Sequence, residues 1–430
     1  MKLKVLILLG SLVVVLLVLP NASQAIPSYA RQVQKPCTAC HTIWPNLNQY
    51  GRQFKVKAYT DVSPDWKMIT KDNLNLLYIL PVSARITSFL YTKENNPVAG
   101  IDTDSTRIPD QADLFISSRI GNYMGVFSHI AFVPGDGFEF PVLKMAFQYP
   151  LGGNTVGLVG FKGSAVSADP FNSLGGRSSP ILFGDESSAP VLTKGWTFSF
   201  LDEGNLGLVA HGYFLNNRLY AAAGTMRGGR SEDVSSGVLL NASGGADIAS
   251  SDPFDGYFRL AWDQKLPDGA VTFGVAYYIG DQKIRESPLP LVLPFRSKVS
   301  RIYLDASLEQ HFGEDHLVEV QALYGMGREK NVFGGDEVRR FDGFHIEGSY
   351  FYQRMFGLVA ACNFLNNRKV DASDITGDDK RVNQWIVSFN FLPWLNTKLA
   401  LQYAHTWTKF AGDQPSQTDK IFRLVVDLAF

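Results

Sequence analysis

From about residue 76 to the C-terminus, apolar and polar residues alternate along the chain with a period of two. In the last segment one set of alternate positions is apolar: Phe422, Leu424, Val426, Leu428 and Phe430. The positions between them include charged residues: Arg423, Val425, Asp427 and Ala429. Residues 301–312 and 398–407 repeat the pattern, with charged residues such as Asp305 and Lys398 confined to one set. Because successive side chains of a strand point to opposite faces, each segment predicts a strand with one apolar face and one face that carries charge.

The connections between these segments alternate in length. Seven short turns are predicted, at Gly121-Asn122, Leu151–Asn154, Asn216-Asn217, Pro267–Gly269, Gly313–Asp315, Arg354–Gly357 and Pro393–Asn396. Eight other connections lie near 93–110, 134–137, 164–205, 226–255, 281–298, 327–340, 365–381 and 408–418, and all but the second are long and polar. Seven turns and eight loops join sixteen strands. A β-sandwich also alternates, but its connections follow no such long–short rule.

An even number of antiparallel strands, with short turns at one end and long loops at the other, is typical of an outer-membrane barrel. Closure gives every backbone N–H and C=O a partner strand, which the lipid interior requires. The predicted fold class is therefore all-β, an outer-membrane antiparallel β-barrel of about 16 strands whose interior is wide enough for an aqueous channel. The loops are expected outside the cell, and the turns and both chain ends in the periplasm.

The first 25 residues have the features of a cleaved secretory signal peptide. Lys2 and Lys4 precede the apolar run Val5–Leu19, and Ser23-Gln24-Ala25 fits a small-residue cleavage site. An uncleaved membrane anchor is the alternative, but the run is short for a spanning helix. No later stretch approaches 18 uninterrupted apolar residues, and a net charge of −1 gives no electrostatic case for binding nucleic acid.

A cysteine pair follows the leader. Cys37-Thr38-Ala39-Cys40-His41 is C-x-x-C-H, the attachment pattern of one covalent c-type haem. The two thiols add across the haem vinyl groups, and His41 is expected to be the proximal axial ligand of the iron. A thioredoxin-like couple, half of a zinc site and a plain disulfide are the alternatives. No βαβ pattern, second C-x-x-C or H-x-x-x-H supports the first two, and the third does not need His41.

The predicted organisation is a signal peptide at 1–25, a small N-terminal c-type haem domain at 26–75 and a porin-like barrel at 76–430. The haem domain is short for a cytochrome and is expected to depend on the rest of the protein, as a possible barrel plug. Inward-facing charges would then dock it, namely Arg259, Asp263, Glu309, Glu347, Lys398 and Arg423. Ordinary porin lining would look the same in sequence.

Other residues of this domain are candidates for contact with the haem. Trp44, Leu47, Tyr50, Phe54 and Tyr59 are candidates to cover its faces. The cations Arg52, Lys55 and Lys57 have two interpretations, contact with the propionates or a solvated helix face, and both stay open.

A second iron ligand is commonly Met or His in electron-transfer haems. Met68, 27 residues after His41, is the candidate distal ligand, since no other Met or His lies between Ile26 and the first strand. Its alternative role is packing beside Trp66. If the domain sits within the barrel, the inward-facing His345 or His311 are further candidates, whereas His405 is expected at the membrane interface.

The N-terminal stretch resembles the fused monohaem cytochrome–porins of iron-oxidising bacteria. The resemblance covers about residues 28–60 and is carried by Tyr29-Ala30-Arg31-Gln32, the C-x-x-C-H motif, Pro45, Gly51-Arg52-Gln53-Phe54-Lys55 and Tyr59-Thr60. Tyr50 and Ala58 depart from it, where Phe and Gly are usual. The barrel resembles the family in architecture only.

This resemblance implies an outer-membrane iron-oxidase cytochrome that takes electrons from extracellular Fe(II), or another external donor, and passes them through its haem to a periplasmic c-type cytochrome. Two alternatives stay open. One is a porin-type transport channel with the haem unit as plug or sensor, and the other is outward electron transfer. Four loop carboxylates are candidates to attract Fe(II), or form an ordinary solvated acidic loop: Asp371, Asp374, Asp378 and Asp379. Cys362 is expected to be an inert small side chain in a strand.

Overall fold

The computed structural model describes residues 27–43, 46–63, 68–71, 74–77, 81–96, 100–135, 137–163, 169–171, 205–227, 248–249, 255–284, 295–330, 338–369, 380–394, 396–410 and 415–430. The predicted leader and the four loop aspartates lie outside these residues. No helix among them is long and apolar enough to cross a membrane.

Short elements make up the N-terminal part. Helix α1 spans Pro27–Val33, a single 3-10 turn spans Cys37–Ala39, and helix α2 spans Gln49–Val56. A two-stranded hairpin follows, with β1 at Met68–Lys71 and β2 at Leu74–Leu77. We call residues 27–63 the N-terminal unit.

Long strands make up the rest. The first seven are β3 (Val82–Asn96), β4 (Ile101–Gly121), β5 (Met124–Val133), β6 (Gly137–Leu151), β7 (Asn154–Gly163), β8 (Asn205–Phe214) and β9 (Leu219–Arg227). Strand β10 is the two residues Ile248–Ala249, which pair with β12. The last nine are β11 (Asp255–Leu266), β12 (Gly269–Ile284), β13 (Phe295–Phe312), β14 (His316–Lys330), β15 (Val338–Tyr352), β16 (Phe356–Lys369), β17 (Lys380–Trp394), β18 (Thr397–Phe410) and β19 (Gln417–Ala429).

In the described part of the chain, sixteen of these strands close into one antiparallel barrel. Each long strand pairs with its neighbours in sequence, β9 pairs with β11, and β19 returns to pair with β3. The predicted fold and strand number are confirmed. Closure leaves no sheet edge to be satisfied by lipid.

The alternating pattern places apolar side chains on the outside of this barrel. Leu304 is 47% exposed and Phe389 49%, whereas the adjacent Tyr303 and Ser388 are fully buried. An exposed apolar outer wall of this extent is stable only against lipid, so the barrel belongs in a membrane. The inner set includes the charged residues Arg301, Asp305 and Lys398, each at most 5% exposed.

The seven predicted turns are confirmed at the positions expected. The loop predicted at 93–110 is wrong in extent, because β3 runs to Asn96 and β4 begins at Ile101. Residues 102–108 are exposed on both faces of their strand. Their polar composition therefore reflects a strand that extends beyond the membrane. Such a strand is polar on both faces, so its sequence looks like that of a loop.

Candidate functional site

The C-x-x-C-H segment forms one tight turn. The backbone N–H groups of Cys40 and His41 both donate to the carbonyl oxygen of Cys37, at 3.1 and 2.9 Å. Cys37 is buried and Cys40 half-buried, and neither is in a disulfide. Burial raises the pKa of the Cys40 thiol to about 11, and nearby Lys35 opposes part of that shift. Two thiols and one imidazole are thus held on a single turn.

The imidazole of His41 has a defined tautomer. Its Nδ1 lies 3.1 Å from the carbonyl oxygen of Asn46. A carbonyl only accepts hydrogen bonds, so Nδ1 carries the proton and Nε2 carries the lone pair. Metal-ligating histidines are typically oriented in this way, with the second nitrogen hydrogen-bonded to a carbonyl or carboxylate.

Asn48 connects the turn to helix α2. As the N-cap of α2, its side chain accepts from the backbone N–H of Gly51 at 2.9 Å. The same amide donates to the carbonyl oxygens of Thr38 and Ala39, at 3.2 and 3.1 Å. One side chain therefore fixes the start of the helix and the body of the cysteine turn.

Gly51 brings α2 against this turn. A Cβ atom at position 51 would lie 2.1 Å from the carbonyl oxygen of Cys40 and 2.9 Å from a methyl group of Leu47. Only a residue without a side chain permits this approach.

Aromatic side chains hold α1 against α2. Tyr29 stacks on Tyr59 with ring centroids 4.7 Å apart, and Phe54 meets both rings edge-on at 5.3 and 5.6 Å. Val33 completes this cluster. The structure thus places two of the predicted haem-covering residues, Phe54 and Tyr59, in the core of the N-terminal unit.

Arg52 anchors the unit to the barrel wall. Its Nε and Nη2 donate to the two carboxylate oxygens of Asp263 at 2.9 and 2.8 Å, and the side chains are 5% and 0% exposed. Tyr213 donates to the same carboxylate. Burial alone lowers the pKa of Arg52, but Asp263 more than offsets this and the pKa is raised. The interpretation of Arg52 as part of a solvated helix face is wrong, because its guanidinium is buried against Asp263.

Further contacts reach strands on nearly opposite sides of the ring. At β4, Ser28 bonds Ser117 at 2.7 Å and the Gln32 side chain accepts from Ser118 at 3.0 Å. Across the lumen, Asn46 donates to Glu319 of β14 at 2.9 Å. Strands β4 and β14 are seven positions apart by the shorter path around the ring of sixteen, so the unit spans the inside of the barrel.

The contacts lie close to the short turns. Asp263 is four residues before the turn at Pro267, and Glu319 is three residues after β14 begins at His316. The unit therefore sits within the turn end of the barrel, which is the periplasmic end by the general arrangement of outer-membrane barrels. Of the predicted docking charges, Asp263 bonds Arg52 directly, and Glu309 acts electrostatically on Arg52.

Residues 169–171, which follow β7 in the chain, also contact the unit. The carbonyl oxygen of Asp169 accepts from Lys55 at 2.5 Å, and the Asp169 carboxylate lies 3.6 Å from Arg259. The Phe171 ring lies 5.9 Å from the Arg52 guanidinium and 5.5 Å from that of Arg259. Burial lowers the pKa of Lys55 to about 8, with Asp169 partly opposing the shift.

An apolar patch covers part of the inner wall beside the C-x-x-C-H turn. Ile43, two residues after His41, belongs to a buried cluster of inward-facing side chains whose other members are Leu317, Phe351, Val359, Ala361, Ile386, Leu392, Ala404 and Ile421. Barrel channels usually have polar interiors. Here the inner wall instead packs against Ile43 of the N-terminal unit.

The structure describes the side chains of some candidate second iron ligands but not of all. Met68 begins β1 opposite Leu77, and its side chain is outside the described set. His345 points inward as predicted and bonds Asn363 at 2.6 Å, and His311 lies 3.4 Å from Glu309 on the inner wall. His405 stacks on the outward-facing Trp385, and Cys362 is exposed on the outer wall. Within the described residues, no three His, Cys, Asp or Glu side chains form a metal-ion site.

Sequence reasoning missed several contributors. Three residues were not predicted as contacts: Gln32 bonds within the N-terminal unit and to the wall, and Asn46 bonds Glu319 of the wall. Gln32 also donates to the carbonyl oxygen of Tyr59 at 2.7 Å, and Glu319 is inward-facing and only 7% exposed. The alternation of side chains along β14 was the one available signal, because it places Glu319 on the inner face. Its partner Asn46 is 273 residues away in sequence.

Comparisons with known proteins bear on the barrel. No protein-family model matches the chain, and no curated protein sequence matches it. The outer membrane channel DcaP of Acinetobacter baumannii has a TM-score of 0.51 at 11% identity, over 81% of this chain and 95% of that chain. The anion-selective porin from Comamonas acidovorans has a TM-score of 0.49 at 13% identity, over 81% and 98% of the two chains. For OmpT of Vibrio cholerae the TM-score is 0.49 at 12% identity, over 81% and 98%.

At these identities the likeness shows the fold alone. Together with the closed barrel and its apolar outer wall, it identifies the chain as an outer-membrane, porin-like β-barrel protein.

Proposed function

We propose that this protein is an outer-membrane cytochrome–porin that moves electrons across the membrane, from extracellular Fe(II) or a similar external donor to a periplasmic c-type cytochrome. One covalent haem c would be held by Cys37, Cys40 and His41. The observation that carries the proposal is that two thiols and one imidazole share a single turn, with His41 Nδ1 held 3.1 Å from the carbonyl oxygen of Asn46.

The residues present fit a covalent haem. Cys37 and Cys40 are free thiols at the required spacing, on the same turn as His41. When bound, the haem supplies a one-electron iron couple. The protein's own part is to hold the ligand in place and to exclude water from its surroundings.

Glu319 contributes to holding the ligand. It accepts from the side chain of Asn46, whose carbonyl oxygen accepts from His41. The barrel wall thus holds the residue that orients the imidazole, as outer-shell partners do in many metal sites.

The filled lumen supports electron transfer over bulk transport. The N-terminal unit spans the turn end, and Asp169 and Phe171 meet it through Lys55 and Arg52. Solutes would have to displace this packing, whereas an electron moves without displacing it. The position also puts the predicted haem where a periplasmic cytochrome can approach.

A second candidate is a porin-type channel in which the N-terminal unit is a plug or sensor. The fold itself favours this candidate, since the outer membrane channel DcaP shares it. The two functions differ in whether the protein conducts ions with the unit in place and whether an external reductant reduces it.

The decisive experiment uses the full-length protein from outer membranes. We expect haem to remain on the denatured polypeptide after acid-acetone extraction, and Fe(II) given to whole cells to produce the spectrum of a reduced c-type haem. Cys37→Ala and Cys40→Ala should each weaken or abolish attachment, whereas Cys362→Ala on the outer wall should not. Haem that extracts freely from the wild type would refute the c-type assignment. Covalent haem that external Fe(II) never reduces would favour the sensor or plug.

The predicted distal ligand is tested with the same protein. If Met68 binds the iron, Met68→Ala should abolish a near-infrared thioether–iron band and lower the reduction potential. An unchanged spectrum and potential would exclude Met68, and His345 and His311 would be replaced next.

A further inference from the structure

The outer wall of the barrel carries a groove across β12, β13, β14 and β15. Its volume is about 510 Å³, and its floor is formed by Tyr277, Ile302, Tyr324 and Met326. Tyr277, Tyr324 and Met326 are 38%, 38% and 41% exposed. These side chains face away from the lumen, so the groove opens toward lipid.

Two arginines stand at the loop end of the groove. Arg328 of β14 lies directly opposite Arg340 of β15, and both are exposed and line the groove. Like charges directly opposite each other on antiparallel strands repel. Among the described residues, none of the ion pairs involves either guanidinium. The nearby Asp342 accepts from Asn366 at 3.2 Å instead. A bound anion would relieve this repulsion.

The height of the groove matches the edge of the membrane. Arg328 is 12 residues beyond His316, where β14 leaves its turn. At about 3.3 Å per residue and a tilt of about 40°, this is roughly 30 Å along the barrel axis, just past an apolar band about 25 Å tall. Toward the membrane centre, the floor continues into the exposed Leu304 and Phe344.

We propose that this groove binds a phosphorylated lipid of the outer leaflet. The paired guanidiniums would hold a headgroup phosphate, because planar guanidiniums match phosphate oxygens in bidentate fashion. The tyrosines and Met326 would cover the first part of an acyl chain, which then follows the outer wall. The proposal depends only on the membrane position of the barrel, and it stands or falls independently of the haem.

The test is lipid binding by the purified full-length protein. The probe is lipid A carrying both phosphates, added in detergent and measured by native mass spectrometry. We expect wild type to retain it, and the double variant Arg328→Gln/Arg340→Gln to bind at least tenfold more weakly. A matched control, Arg218→Gln/Lys265→Gln, removes the same charge from exposed cations at the turn end and should bind as wild type does. Heat-dependent gel mobility confirms that each variant keeps a closed barrel.

Two further measurements show whether binding needs both the phosphates and the acyl chains of the lipid. Dephosphorylated lipid A should bind wild type as weakly as intact lipid binds the double variant. Inorganic phosphate at the same concentration should not compete. Equal binding by the double variant and wild type would overturn the proposal, as would an equal loss in the turn-end control. Effective competition by inorganic phosphate would show that the apolar floor plays no part, and would also overturn it.

Discussion

The barrel wall and the N-terminal unit are stabilised in different ways. Each barrel strand is hydrogen-bonded along its length to two neighbours, as in the sixteen residue pairs that join β12 to β13. The unit has two helices of only 7 and 8 residues. Helices of this length are marginal in water without tertiary contacts. The wall therefore holds itself together, whereas the unit depends on the wall.

This difference separates two kinds of information in the chain. The wall follows a local rule, the alternation of side chains along each strand. The unit's position is set by pairs far apart in sequence, such as the buried ion pair of Arg52 and Asp263, 211 residues apart. The comparison predicts that the wall should survive loss of the unit, and that the unit should not survive loss of its anchors.

The largest effect should follow from removing the unit. Deleting residues 27–63 behind an intact leader should leave a closed barrel, because none of the sixteen strands is lost. Its conductance in planar bilayers should rise to the order of an open sixteen-strand porin, since the unit spans the lumen. Heat-dependent gel mobility is the check on closure. A deletion that folds but conducts no more than wild type would show that the unit does not obstruct the lumen.

A smaller but still large effect on docking of the unit is expected from breaking the Arg52–Asp263 ion pair. Arg52→Ala leaves the Asp263 carboxylate buried without its cation, a change that typically costs roughly 3–5 kcal/mol. The unit should undock, exposing residues 27–63 to protease while the barrel remains resistant. The control is Lys93→Ala, since the Lys93–Asp102 pair is 47% and 65% exposed and such pairs contribute about 1 kcal/mol or less. Equal protection of Arg52→Ala and wild type would mean that other contacts suffice to hold the unit.

The same contrast explains what the sequence predicts and what it does not. All seven turns were predicted because each contains Gly, Asn, Pro or Asp between alternating segments. The alternation of side chains along each strand also predicted that Asp263 and Glu309 face inward. This alternation does not tell which inward charge meets which residue of the unit. The periodicity of helix α2 likewise did not predict that Arg52 is buried. Only the folded ring brings Asn46 to Glu319.

A change inside the unit should have an intermediate effect. Gly51→Ala places a methyl group 2.1 Å from the Cys40 carbonyl oxygen, so α2 must move away from the cysteine turn. Overpacking of this kind costs about 1–3 kcal/mol. We expect less haem per polypeptide and faster amide exchange at Cys40 and His41. Gly348→Ala is the matched control, because a Cβ there meets nothing within 4 Å. If both variants behave alike, the close approach of α2 is not required.

The smallest expected effect is a pH dependence of docking, and it arises at Lys55. Burial lowers the pKa of Lys55 in the docked unit to about 8, from an ordinary value near 10.5. Below pH 8 both docked and undocked forms are protonated, and the cost of burying the ammonium group is fully present. Between pH 8 and about 10.5 the undocked form binds more protons, so docking strengthens as pH rises, and the gain levels off above that range.

Protease protection of residues 27–63 measured from pH 7 to 11 should therefore increase across this window. The informative quantity is the difference between wild type and Lys55→Met. That variant should lose the rise, because it has no proton to release. Lys57→Met, which removes the same charge from a half-buried position two residues on, should keep it. An identical pH profile for Lys55→Met and wild type would show that the burial of Lys55 does not limit docking.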